Sequence, residues 1–156
     1  MFLLTLTAFA LLAHQPAQPH IEIDGAAIRQ MASTGWRATD DKAARWLWQA
    51  AYDGDADVLG ALLSAGADPG TVRDDGTTIL MAAAVSGDAE SVRLLIAASA
   101  DPTFRDRAGR DAADRVRDAM HPPPLPPGLP PRPPRVVNAT GRPPQYDLIL
   151  KLLTNE

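Results

Sequence analysis

Thr78-Ile79-Leu80-Met81-Ala82-Ala83-Ala84-Val85-Ser86-Gly87-Asp88-Ala89-Glu90-Ser91-Val92-Arg93-Leu94-Leu95-Ile96 is the stretch that decides the fold. Two short apolar runs meet in it at Gly87-Asp88. A glycine accepts the left-handed conformation that ends a helix, and an aspartate beside it caps the next one. Val92, Leu95 and Ile96 then fall at i, i+3 and i+4, on one face of the second helix. The same plan stands 33 residues earlier, in Arg45-Trp46-Leu47-Trp48-Gln49-Ala50-Ala51-Tyr52-Asp53-Gly54-Asp55-Ala56-Asp57-Val58-Leu59-Gly60-Ala61-Leu62-Leu63. There Gly54 and Asp55 mark the turn, and Leu59, Leu62 and Leu63 make the face. Gly66-Ala67-Asp68-Pro69 after the first helix pair is matched by Ser99-Ala100-Asp101-Pro102 after the second. A self-match at this period is the mark of a stacked array.

Further units lie on both sides. Asp106-Arg107-Ala108-Gly109-Arg110-Asp111-Ala112-Ala113-Asp114 begins a third unit on time, with a helix running towards Ala119. HPPPLPPGLPPRPP, residues 121–134, then interrupts it, because proline lacks the amide donor that a helix needs. The apolar pattern resumes in Tyr146-Asp147-Leu148-Ile149-Leu150-Lys151-Leu152-Leu153. Asp147 lies 57 residues after Glu90, one period plus 24. This reads as the third unit's second helix, displaced by an insertion that closure entropy tolerates. On the other side, Ala27 to Gly35 reads as a degenerate second helix, with Ile28 and Met31 where Leu59 and Leu62 stand in the next unit. A half repeat, two units and a split third make just enough of an array to bury a continuous core, so the flanking helices are expected to act as caps.

The second unit resembles the ankyrin repeat: Asp-Gly-Thr-Thr-Ile-Leu-Met-Ala-Ala-Ala from Asp75, then Ser-Gly-Asp-Ala-Glu, the Leu94-Leu95 pair and Ala100-Asp101. The resemblance covers Asp40 to Ala119 well and the flanks weakly. Two departures stand out. The family's Thr-Pro-Leu-His is Thr78-Ile79-Leu80-Met81 here, and Arg45-Trp46-Leu47-Trp48 in the first unit. The resemblance implies an all-α solenoid of helix–turn–helix units with short finger loops, about 2.5–3.5 repeats, the third split by the proline-rich insertion. The expected division of the chain is a leader (1–17), read from its own composition, and an array (21–156), with core repeats at 40–119, an insertion at 121–144 and a capping helix at 146–154.

The resemblance also implies a role in binding another protein, through finger tips and first helices on a concave face. Matching the family's variable positions places Tyr52 and Asp53 there in the first unit. Val72, Asp74, Asp75, Thr77, Val85 and Ser86 follow in the second, and Arg105, Arg107 and Arg110 in the third finger. One finger is then acidic and the next basic, which suits a partner carrying the opposite signs in order.

Composition narrows the alternatives. The chain has 156 residues, room for about one domain. Its net charge of −4 argues against nucleic-acid binding through bulk positive charge. With no cysteine, disulfides, thiolate catalysis and thiolate metal sites are excluded. The charge is uneven: Asp40 to Ala119 holds fifteen acids and nine bases, and residues from Met120 onward hold four bases and two acids.

Phe2 to Ala13, FLLTLTAFALLA, is twelve residues without charge. A span needs about 20 apolar residues, so this stretch is too short for one and has the length of a signal-peptide core. Its flank lacks Lys and Arg. Cleavage after Ala13 or Ala17 is expected to place the protein in the periplasm or outside the cell. Left uncut, it stays in the cytoplasm.

No catalytic set emerges, and no cofactor or small-molecule substrate is expected. His14, His20 and His121 lie outside the repeats. Asp53-Gly54-Asp55-Ala56-Asp57 mimics a calcium loop, but an EF-hand needs Gly at Val58 and Glu at Ser64. Asp40-Asp41 and Asp74-Asp75 suit caps and finger tips better than acid–base pairs. Pro127 to Arg132 and Pro130 to Arg135 both fit PxxPxR, the polyproline ligand of SH3 domains, although dense proline makes such matches by chance. Asn138-Ala139-Thr140 is a glycosylation sequon. Trp48 and Tyr52, four residues apart, share a helix face that is either core or an aromatic binding patch.

Overall fold

The computed structural model describes residues 24–121, 141 and 143–154. The leader, His14 and His20, nearly all of the proline-rich insertion, both PxxPxR matches and the sequon lie outside these residues. Among the described residues seven helices follow in order: α1 (Gly25–Ser33), α2 (Asp41–Asp53), α3 (Ala56–Ser64), α4 (Ile79–Ser86), α5 (Ala89–Ala97), α6 (Ala112–Met120) and α7 (Tyr146–Thr154).

The helices start and stop where side chains satisfy their end groups. Asp24, Asp40, Asp55, Thr78, Asp88 and Asp111 each accept a hydrogen bond from the amide three residues on. One such cap contributes about 1 kcal/mol. Gly54 and Gly87 end α2 and α4 in the left-handed region, at φ 70° and 82°. The turns Gly54-Asp55 and Gly87-Asp88 therefore stand where the repeat placed them.

Two layers result. The inner layer runs α2, α4, α6, and the outer layer α1, α3, α5, α7, each helix packed on the next in its layer. Within units, α2 packs on α3, α4 on α5 and α6 on α7. α4 is the centre: every residue but Val85 is buried, including Ile79 and Met81, which stand in place of the family's proline and histidine. Leu47, Leu59, Leu62, Leu80, Val92, Leu95 and Val116 extend this core along the array. The fold is an all-α repeat fold.

Both flanking helices join the outer layer. Ile28 of α1 is fully buried and Met31 partly so, against α3. At the other end Ile149 of α7 is fully buried, with Leu150, Leu152 and Leu153 packed beside it. The Gln145 amide donates to the Gly87 carbonyl at 2.8 Å and the Tyr146 hydroxyl to the Val85 carbonyl at 3.2 Å. A Cβ at Gly87 would lie 2.6 Å from Pro144 Cβ, so the approach to α7 needs that position bare.

One boundary differs from the repeat register. Aligning the units starts the first inner helix at Arg45, but α2 begins at Asp41. The connection from α1 has no hairpin finger, and the Ala38 amide ties it to the Ala65 carbonyl at 3.1 Å. Asp40 is thereby free to cap an extra helical turn.

Candidate functional site

The second and third fingers share one backbone plan. In the second, the Arg73 amide donates to the Thr77 carbonyl and the Gly76 amide to the Arg73 carbonyl, both at 2.9 Å. In the third, Asp106 and Arg110, then Gly109 and Asp106, repeat the two bonds at 2.9 Å. The fingers stack, since the Arg107 amide donates to the Asp75 carbonyl at 3.1 Å. Gly76 takes φ 81°, and a Cβ there would sit 2.9 Å from the Arg107 nitrogen. Only glycine satisfies both demands.

Side chains then differentiate the fingers. Asp106 is buried at 6% exposure and accepts from the amides of Ala108 and Arg110. The Arg115 guanidinium reaches it at 2.7 Å and that of Arg110 at 3.2 Å, and Arg115 also donates to the Thr77 hydroxyl at 2.9 Å. The Arg110 amide, then the Arg115 guanidinium, hold the Asp106 carboxyl below the usual carboxylate range. This network fastens the third finger to α6 and to the second finger.

Arg73 occupies the equivalent position one period earlier and turns the other way. Its guanidinium lies over the Trp48 ring at 4.3 Å and the Tyr52 ring at 5.1 Å. The two rings are 5.9 Å apart, and Arg73 Nη1 is 3.3 Å from the Tyr52 hydroxyl. Trp48 is buried and Tyr52 is 40% exposed, so the pair divides between core and surface.

The expected contact residues separate accordingly. Tyr52, Val72, Asp74, Asp75, Arg105 and Arg107 are exposed, and Asp53, Val85 and Arg110 are intermediate. Thr77 and Ser86, also expected at contact positions, are instead buried, at 5% and 1%. Thr77 faces Arg115, and the Ser86 hydroxyl donates to the Ala83 carbonyl at 2.7 Å, so neither side chain reaches a partner.

The third finger also offers less free positive charge than its residue types suggest. Arg105 pairs with Asp111 at 3.1 Å and Asp114 at 3.6 Å, and Arg110 with Asp106 and Asp118. Asp75 accepts from the Thr77 amide at 2.8 Å. That amide, then the Thr77 hydroxyl, lowers its pKa. The carboxylates of the calcium-like run are engaged separately: Asp53 with Gln49, Asp55 with the Val58 amide and Asp57 with Arg29. A cleft of about 230 Å³ is lined by Asp40, Asp41 and Asp68, of which Asp40 and Asp68 accept from amides of their own turns.

Sequence reasoning passed over Arg73 and Phe104. Phe104, 39% exposed in the third finger, carries no signal beyond being aromatic in a loop. For Arg73 a signal existed: it stands where the third unit has Asp106.

Residues 47–115 match the family model for ankyrin repeats, described as three copies. No curated protein matches the chain. Ankyrin repeats are in general protein–protein interaction modules, and a protein partner is what they suggest here. Among the described residues no helix is long and apolar enough to cross a membrane. The match runs from inside α2, through α3, α4 and α5 and the fingers between them, into α6, and residues 47–115 are ankyrin repeats.

Proposed function

We propose that the protein is a small exported binding module that modulates or protects one protein partner. The carrying observation is the stacked pair of fingers, which holds Val72, Asp74 and Arg107 exposed beside Tyr52 and Arg73. A surface already ordered binds with little loss of conformational freedom. Export rests on the uncharged Phe2 to Ala13 stretch, which has signal-peptide length. The second reading is an adaptor that offers its PxxPxR segments as polyproline ligands; only the two overlapping motifs favour it.

Two measurements test this. Intact mass of protein from fractionated host cells should show a start after Ala13 or Ala17, outside the cytoplasm. A full-length cytoplasmic form refutes export. A photo-crosslinking residue at position 52 should capture a protein in those cells, and one at outer-layer Arg93 should not. Equal capture at both places refutes the inner-face reading.

A further inference from the structure

The cation at Arg73 is held in place but lacks an acid. No carboxylate among the described residues pairs with it, whereas Arg105, Arg110, Arg115 and Arg117 all have one. Its backbone is fixed by the finger hairpin and its guanidinium by two aromatic rings. Stacking occupies a face of the guanidinium and leaves N–H groups along the edge. One edge nitrogen meets the Tyr52 hydroxyl at a long 3.3 Å. An arginine so presented matches the planar, two-oxygen geometry of a carboxylate.

We propose that Arg73, on its Trp48–Tyr52 bed, is the anchor for a single aspartate or glutamate side chain in a protein segment lying across the inner face. The inference rests on the protein-binding reading and specifies its chemistry. Three observations narrow the partner. The repeat body from Asp40 to Ala119 carries fifteen acids against nine bases, so a polyacidic segment is repelled while one well-placed carboxylate is not. Tyr52 is 40% exposed beside the anchor, and Val85 holds its equivalent position one period on, which favours an apolar side chain next to the acid. The third finger flanks Arg73, its Arg107 amide bonded to the Asp75 carbonyl, so an internal acid suits the site better than a chain terminus.

The test uses the whole chain and a displayed library of random twelve-residue peptides. Selected peptides should share one Asp or Glu beside an aromatic or aliphatic residue. Changing that acid to its amide should weaken binding to the parent protein about tenfold or more, as loss of a charge-assisted bidentate contact does. The same change should matter less than about twofold for Arg73→Gln, whose missing charge has already removed the contact. Arg73→Lys should retain only part of the acid preference, because it keeps charge but loses the fork. Matched urea midpoints would exclude unfolding as the cause. Peptides that bind and are lost with Tyr52→Ala, yet show no acid preference, would overturn this inference and leave the binding reading standing. Peptides indifferent to both substitutions would overturn the inner-face reading as well.

Discussion

The second and third fingers share one hydrogen-bond plan and reverse sign at two adjacent positions, Arg73 against Asp106 and Asp74 against Arg107. Asp106 points inward, collects two amides and two guanidiniums, and locks its finger. Arg73, at the same place in the period, lies out over Trp48 and Tyr52. The second finger replaces the missing lock locally, through the Thr77 amide on Asp75. A repeat backbone thus tolerates opposite charges at one position when a neighbour two residues on takes over the turn. The position becomes a fastener in one unit and an exposed anchor in the other.

Substitutions can break this comparison. The largest effect is expected from Leu80→Ala, a fully buried side chain in α4, the helix between the two fingers. It should cost about 2–5 kcal/mol in urea unfolding and loosen both fingers together. A loss under about 0.5 kcal/mol would mean that α4 is not their common support. Next is Gly76→Ala, which meets left-handed φ and the Arg107 amide at once. A loss of about 1–3 kcal/mol is expected, with faster amide exchange at Arg107.

Asp106→Asn separates the fingers. Its midpoint should fall at neutral pH, with exchange quickening in residues 106–110 before 73–77. Acid sharpens the point. Asp106, Asp75 and Asp101 all have pKa values below the ordinary carboxylate range when folded. Their stabilisation is complete above about pH 5 and is lost as pH falls through those lowered values. Urea midpoints at neutral and acid pH should therefore diverge less in Asp106→Asn than in the parent. The smallest effect belongs to Arg73→Gln, which removes only an exposed cation–π stack. A cost of no more than about 0.5–1 kcal/mol is expected. A larger loss would make Arg73 a fastener too and end the contrast.

Most of the architecture was legible because its signals are local. Gly54 and Gly87 with Asp55 and Asp88 mark turns whatever surrounds them. The spacing from Glu90 to Asp147 assigned Tyr146 onward to the outer layer, where α7 lies against α5. The start of α2 was not legible from period alone, because a missing hairpin changes what Asp40 can do. The candidate site was legible only in part. Of the family positions, Tyr52 and Val72 are exposed, whereas Thr77 and Ser86 are buried, Thr77 against Arg115 and Ser86 bonded to the preceding turn. The direction of Arg73 depends on a finger folding back over the preceding helix, a contact across 25 residues to Trp48 that no short-range pattern encodes.

The docking of α7 has a consequence for how the array ends. The last outer helix rejoins its unit only after 25 intervening residues, from His121 to Gln145. The pairing of α7 with α5 and α6 is thus an intramolecular association, in which effective concentration replaces a short turn. Doubling that tether would cost only about 0.6 kcal/mol in closure. What the junction cannot vary is the seat itself: bare Gly87, the Gln145 and Tyr146 bonds, and buried Ile149. The place of α7 is therefore specified by a lock and key within one molecule, with the connecting length left open to drift.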